Sequence, residues 1–310
     1  MAANKGKDTM GAGVGRTLTR RGFVELAGGV AAAGGMLALA GCGSTSSSSS
    51  SDSAATTESA STSGDDSTIR FGCEAAYAPY EWKQDDSNDY TLPISNLDGA
   101  YTDGYDIQLM KMIAKEMDRE PVVVNISFQG LIAALQNGEI DAICSGMSAT
   151  DERKESVDFS DAYLHSGVGI MVKKDSQYAD ATSLSDLSGA SVVAQKSSLP
   201  DQVIDQIPDV VHLDPVDSIP DSLARLEAGT VDAVAVDENN KDLYEKTYTD
   251  CVVIVFADGK GFDTPGVDPA VAVQKGDPEG LLDSINKVID GLSDDDRKKL
   301  WDECSERAPE

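Results

Sequence analysis

The chain is short of positive charge, of histidine and of cysteine, and each shortage closes off a class of function. Across 310 residues, Lys and Arg total 25 against 54 Asp and Glu, for a net charge of −29 at pH 7. Five of the basic residues and only two of the acidic ones fall in the first 41 positions, so the remainder is near −32. A surface that acidic repels phosphate backbones and anionic lipid, and argues against nucleic-acid binding. There are two histidines, and no pair among the five cysteines has metal-ligand spacing, so no metal site is expected. Residues 43–67 lack aromatics and consist mostly of Ser and Thr with scattered Asp and Glu. Such a segment cannot bury a core and is expected to be a disordered tether, on the order of 25–30 Å root-mean-square.

What is present begins with an export signal. Lys5, Lys7, Arg16, Arg20 and Arg21 precede an apolar stretch, 22–40, interrupted by Glu25, Gly28-Gly29 and Gly34-Gly35. That stretch is a weak spanning helix, and a cleaved signal fits it better than a permanent anchor. Thr19-Arg20-Arg21-Gly22-Phe23-Val24 resembles the twin-arginine export motif, although ordinary Sec-signal charge accounts for the arginine pair as well. Leu39-Ala40-Gly41-Cys42 resembles the lipobox of bacterial lipoproteins, which makes Cys42 the lipidated first residue of the mature chain. The expected division is a signal over 1–41, a lipidated linker over 42–68, and about 240 residues forming one large domain or two lobes.

The stretch 128–159 organises the rest. Leu131, Ile132 and Leu135 have helical spacing, Gly138 is a helix stop, and 140–144 reads as a buried strand. Ser145-Gly146-Met147-Ser148 follows at the strand's carboxyl end, where ligands bind in open α/β sheets. Thr150 can cap a helical turn carrying Asp151, Glu152 and Arg153. Arg153 and this turn, with its free backbone N–H groups, are therefore placed to hold an anion, most simply a carboxylate; a solvated surface arginine is the alternative. Part of the stretch recurs: Leu135-x-x-Gly138-x-Ile140-Asp141-Ala142-Ile143 matches Leu226-x-x-Gly229-x-Val231-Asp232-Ala233-Val234. The second strand ends at Asp237 as the first ends at Ser145, so two similar lobes facing one cleft are expected.

Further strands are expected at 69–74, 121–126, 168–173, 191–195, 251–256 and 270–275. Helices are expected at 106–117, after Pro200 as far as 207, and at 218–228, 279–289 and 293–304. This alternation predicts parallel α/β sheets. An aromatic loop, Tyr77-Ala78-Pro79-Tyr80-Glu81-Trp82, precedes a polar, acidic insertion over 83–103 that has no periodicity. Cys73 and Cys144 sit at the ends of two strands, and whether they pair is left open.

With these pieces in place, the mature chain resembles the bacterial extracellular solute-binding proteins of the polar-amino-acid ABC importer type, over essentially all of 69–304. The aromatic loop, Gly104-Tyr105-Asp106-Ile107, the segments 140–143 and 150–153, Asp158-Phe159-Ser160, and Val231-Asp232-Ala233 through Asp237 carry the resemblance. It implies a two-lobed periplasmic-binding-protein fold of type II. Two parallel-rich sheets, with helices on both faces, would be joined by hinge crossovers, one lobe from 69–165 and 262–310 and the other from 166–261. It also implies that Arg153 grips a ligand α-carboxylate together with Ser145, Gly146, Ser148, Ser197 and Ser198. Asp237 would pair with the α-ammonium, Tyr77 and Phe128 would sandwich the ligand side chain, and Glu74 would meet its end. Ser197 and Ser198 serve equally well as a helix cap. Gln108 stands where the family has an acid and reads as a helix-surface change. Lys196 stands where relatives have Gly and leans against a cationic ligand.

The implied function is capture of an amino acid and its delivery to a permease and its ATPase subunits. The protein would be a monomer without cofactor or catalysis, held by a lipid anchor on the extracytoplasmic face of the membrane. A dehydratase-type enzyme on the same scaffold, with Glu74 or Asp237 as acid or base, is the runner-up. A ligand-presenting sensor component is a third reading. The anchor is tested by Cys42→Ser and cell fractionation: the variant is expected in the soluble extracytoplasmic fraction without lipid label, and unchanged membrane retention with label intact would rule the anchor out.

Overall fold

The computed structural model describes residues 67–264 and 267–309. The export signal, Cys42 and linker residues 43–66 lie outside these. Among the described residues no helix is long and apolar enough to cross a membrane.

The chain opens with β1 (Thr68–Cys73), β2 (Ala76–Tyr77), β3 (Glu81–Gln84), β4 (Leu92–Pro93) and β5 (Tyr101–Asp103). Next come α1 (Tyr105–Glu116), β6 (Glu120–Asn125), α2 (Leu131–Gln136), β7 (Ala142–Ile143), α3 (Asp151–Lys154) and β8 (Val157–Ala162). A second set follows: β9 (Val168–Lys173), β10 (Ser191–Val193), α4 (Leu199–Val203), β11 (Val211–His212), α5 (Ile219–Glu227), β12 (Ala233–Asp237), α6 (Lys241–Thr247) and β13 (Cys251–Ile254). β14 (Ala270–Gln274), α7 (Leu282–Asp290) and α8 (Asp294–Arg307) return to the first set.

Two five-stranded sheets result, in the orders β6-β1-β7-β14-β8 and β11-β10-β12-β9-β13. They define two lobes, and the chain crosses between them after β8 and again after β13. Neither sheet is all parallel. β14 runs antiparallel to β7 and β8, and β9 runs antiparallel to β12 and β13, because each is the first strand after a crossover and enters its sheet reversed. β11 was not expected; at two residues it is too short to show alternation.

The internal repeat has a physical basis. Gly138 and Gly229 adopt positive φ, 73° and 65°, and close their helices with matching bonds back to Leu135 and Leu226. The Asp immediately before each following strand then fastens the neighbouring strand. Asp141 accepts the Arg70 N–H at 2.7 Å, Asp232 accepts the Ser191 N–H at 2.8 Å, and each returns its own N–H to the same residue's carbonyl. Asp141 also holds the Arg70 guanidinium, whose Nη1 reaches Gly138 O at 2.8 Å.

The 77–82 segment is a hairpin rather than a loop, with β2 and β3 paired antiparallel. The insertion is not structureless either: it supplies most of a four-stranded sheet, β2-β3-β5-β4. It packs on β6, an edge strand that would otherwise be open. Ser95 bonds the Val123 carbonyl, and Asn96 and Asn125 exchange bonds at 2.9 Å. Arg307 pins it from α8, reaching Asp103 at 2.8 Å with its guanidinium 4.0 Å from the Tyr90 ring centroid. Gln108 belongs to this join, donating to Tyr90 O and Asp103, so it is more than a surface change. The four cysteines among the described residues are free and buried; Cys73 and Cys144 follow a paired register, Gly72 with Ile143, without forming a bond.

The two aspartates of the repeat should not weigh equally. Asp141→Ala strips a backbone N–H and a guanidinium of their partner and is expected to cost about 1.5–3 kcal/mol. Asp232→Ala, at an exposed position, should cost about 1 kcal/mol. Denaturant unfolding measures both, and equal losses would contradict the account.

Candidate ligand-binding site

The carboxyl ends of β1, β7, β10 and β12 converge between the lobes. They enclose a cavity of about 30 Å³, lined by residues that include Tyr77, Phe128, Gly146, Ser148, Arg153, Gln195, Ser198 and Asp237.

Arg153 is the cation of this site. Thr150 caps α3 by accepting the Arg153 N–H, which fixes the start of the turn. The side chain is buried, 7 % exposed, rather than lying on an open cleft surface. Nη1 donates to Ser148 O at 2.6 Å and Nη2 donates to Ser197 O at 2.8 Å, across to the other lobe. The guanidinium sits 5.4 Å from the centroid of the Phe128 ring. No carboxylate among the described residues bonds to it. Burial without a counter-ion pulls its pKa down to about 10, so it remains charged at neutral pH. A guanidinium has five N–H donors, and these two bonds leave the rest of the fork facing the cavity wall.

Asp237 ends β12 and is 2 % exposed. Its Oδ2 accepts from the Tyr80 hydroxyl at 2.7 Å and from Tyr77 at 3.5 Å; its Oδ1 accepts from Asn239 N at 2.9 Å and from the Ser166 hydroxyl. Burial raises its pKa, and those bonds oppose the rise. Tyr80 and Tyr77 belong to the first lobe, so this carboxylate is also a junction between lobes. The two rings stack at 4.7 Å, and Gly146 lies against Tyr77.

Glu74 does not line the cavity. It stands behind Gln195, whose Nε2 donates to it at 2.7 Å across the lobes. Its pKa is raised, by burial first and further by Asp221 and Asp217. Ser145 points away from the cavity: its hydroxyl donates to the buried Glu81 and accepts from Glu74 N. The Gly146 N–H, expected to be free, is taken by Asp106 at 2.7 Å. Ser198 lines the cavity and caps α4 by accepting from Asp201 N, whereas Ser197 is exposed and contributes its carbonyl. Lys196 is also exposed, outside the lining. The sequence reading missed Gln195, Tyr80 and Ser166. Only Tyr80 carried a signal, as part of the aromatic segment. No residue of 85–103 lines the cavity.

Residues 69–303 match the family model described as bacterial extracellular solute-binding proteins, family 3. The chain is 30 % identical to the arginine-binding extracellular protein ArtP of Bacillus subtilis, over 74 % of this chain and 84 % of that protein. It is 32 % identical to an L-arginine-binding protein of Pseudomonas aeruginosa, over 73 % of this chain and 83 % of that one. Among solved structures it is similar to an amino acid ABC transporter substrate-binding protein from Streptococcus pneumoniae bound to L-arginine. The TM-score is 0.67 at 26 % identity, covering 77 % of this chain and 94 % of that one.

Gly146 tests the seating of Tyr77. Its φ is 56°, and an added Cβ would lie 2.8 Å and 3.0 Å from two Tyr77 ring carbons. The Tyr80 ring, stacked on Tyr77, also comes within 3.5 Å of that Cβ, so the contact bears on the ring pair. Gly146→Ala is expected to lower the melting temperature by more than the roughly 2–4 °C of a backbone penalty alone, and to change the near-ultraviolet circular dichroism. Gly138→Ala, at φ 73° with its nearest neighbour 3.8 Å away, should show the backbone penalty without the spectral change. Matching behaviour of the two variants would contradict the ring contact.

Proposed function

The chain belongs to the bacterial extracellular solute-binding proteins of family 3, and from that premise we propose that its cleft captures an amino acid with a cationic side chain, for delivery to the permease of an ABC importer. The observation that carries this reading is Arg153: a buried fork, charged, flanked by both lobes, and bonded only to neutral carbonyls. A planar guanidinium matches a carboxylate bidentately, and its missing counter-ion is what such a ligand brings. Asp237 is the acceptor for the ligand's ammonium, and the Tyr77 and Phe128 rings face its stem. Glu74, with Asp217 and Asp221 adding negative field, is the acceptor for a distal cation that displaces the Gln195 amide. Lys196, exposed, does not oppose that charge. The arginine named for the relatives above is consistent with this polarity. The lipid anchor on Cys42, and with it the extracytoplasmic membrane face, rests on the sequence alone.

A cavity of about 30 Å³ has room for roughly one water molecule. An amino acid therefore enters only when the lobes part. Parting breaks Arg153 to Ser197, Gln195 to Glu74 and Tyr80 to Asp237, and the ligand replaces those bonds with its own. This is hinge closure about the two crossovers, with the ligand acting on the closed form.

Arg153→Ala removes two charge-assisted bonds to the ligand but also one interlobe bond that the ligand would have displaced. Net loss should be near 3 kcal/mol, at least about a hundredfold in Kd. Arg153→Lys should bind nearly as poorly, since an ammonium lacks the fork. Calorimetry with L-arginine, L-lysine, L-glutamine and L-glutamate reads both the affinity and the side-chain preference. Wild-type affinity in a folded Arg153→Ala would place the carboxylate elsewhere, and preference for L-glutamate would reverse the proposed polarity.

A further inference from the structure

Beneath the 145–148 turn lie two carboxyl groups that touch no part of the cavity. Glu81 from β3 and Asp106 from the first turn of α1 are each 0 % exposed. The Ser145 hydroxyl donates to Glu81 Oε1 at 2.5 Å, and the Gly146 N–H donates to Asp106 Oδ2 at 2.7 Å. The Tyr163 hydroxyl bonds Asp106 as well and accepts from the same Gly146 N–H at 3.1 Å. One oxygen on each carboxyl, Glu81 Oε2 and Asp106 Oδ1, has no donor among the described residues.

The groups facing the pair offer no relief. β1 presents Cys73 and Glu74, and Cys144 comes from the end of β7. Tyr163 follows β8, Tyr77 and Tyr80 come from the hairpin, Tyr105 opens α1, and Cys304 comes from α8. None of these is a cation, and no lysine or arginine among the described residues bonds either carboxyl. Two ionised carboxylates side by side, buried and without a counter-ion, would repel strongly, whereas one hydrogen between them removes a charge and partners both orphan oxygens.

We propose that Glu81 and Asp106 share one proton, Glu81 Oε2–H donating to Asp106 Oδ1, and that this bridge is the positioning device of the ligand turn. Burial raises the pKa of both groups, and Asp106, which accepts from the Gly146 N–H and the Tyr163 hydroxyl where Glu81 accepts only from Ser145, is the better-stabilised anion, so the proton sits on Glu81. Ser145, gripped by Glu81, accepts the Glu74 N–H and so sets the end of β1. Gly146, gripped by Asp106, supports the Tyr77 ring. Loss of the proton turns the bridge into a repulsion that drives Ser145 and Gly146 apart and moves both Glu74 and Tyr77. The consequence for ligand affinity rests on the function proposed above; the proton itself does not.

Because these carboxyls titrate higher in the folded chain than unfolded, the native state holds a proton that the unfolded chain releases above about pH 4.5. The pair's stabilisation is complete below that pH and is lost as pH rises through the folded value. Glu81→Gln supplies the bridging hydrogen from an amide at every pH, and Asp106→Asn supplies it from the other side. The double variant sets two amide NH2 groups face to face while Ser145 and Gly146 still need acceptors.

Thermal melts of the ligand-free protein from about pH 5 to about pH 9 test the bridge. The decline of melting temperature with pH should be shallower in each single variant than in wild type, and the double variant should melt well below either single. Parallel pH slopes for wild type and Glu81→Gln, or a double variant as stable as the singles, would overturn the shared proton. Calorimetry with L-arginine then tests positioning: wild-type affinity should fall about tenfold between about pH 6 and about pH 9, and Glu81→Gln should lose less than about threefold. An equal fall in both proteins, or none in wild type, would leave the proton as a stability element and overturn its role in placing the turn. If wild type binds neither L-arginine nor any other amino acid, the proposed function fails while the melts still decide the proton.

Discussion

Arg153 is held inside the protein without an anion, and most of the site's construction follows from that one arrangement. A buried, unpaired guanidinium is penalised by several kcal/mol unless its surroundings replace water. Here the replacement comes from the Ser148 and Ser197 carbonyls and the Phe128 face. Ser197 lies in the second lobe and adopts φ 63°, an unfavoured conformation for a residue with a side chain, in the loop that aims its carbonyl at Arg153. The lobes are therefore tied together at the very group whose charge is only partly compensated. That is a receptor geometry, because carbonyl dipoles keep the cation charged but an anion satisfies it far better.

The other contacts between the lobes obey the same logic. Glu74 with Gln195 and Tyr80 with Asp237 each join one residue from each lobe through a directional bond. Around them the apolar contacts are continuous: one buried cluster includes Ile69, Phe71 and Trp82 of the first lobe together with Ile219, Leu223 and Tyr244 of the second. Apolar contact is non-directional and tolerates small rotations, whereas each polar bond is either made or broken. A hinge assembled this way keeps its packing through small displacements and places the two-state behaviour in the polar bonds, where a ligand can substitute for a protein partner.

Much of this was legible in the sequence. The repeated Leu-x-x-Gly-x-Ile/Val-Asp pattern exposed two equivalent units because the recurring positions in it have local jobs: helix stop, strand entry, neighbour clamp. Thr150 and Arg153 were readable because capping is a short-range rule. The misreadings share a cause as well. Ser145 was located correctly along the chain, but which side of the turn its hydroxyl takes depends on Glu81, 64 residues away. Residues 83–103 looked structureless because strands of two to four residues are too short to show a period, and what orders them is β6 and Arg307, remote in sequence. A solvated surface Arg153 stayed open as an alternative because burial by a second lobe leaves no local trace. Gln195 and Ser166 are ordinary residues made significant only by what faces them.

Charge is the level at which bulk composition and site rejoin. The surface is strongly acidic, yet Arg153 is the one lysine or arginine among the residues lining the cavity. Negative groups stand elsewhere around it: Asp237 in the wall, and Glu74 behind Gln195 with Asp217 and Asp221 acting on it. A field of one sign outside draws ligands of net positive charge toward the protein, an effect that salt weakens over about 8–10 Å. Inside, on the function proposed above, the lone positive fork would fix which end of such a ligand goes where. Under the proposed function, an acid-rich surface and a single buried arginine are complementary parts of one device: the surface biases what arrives, and Arg153 orients it.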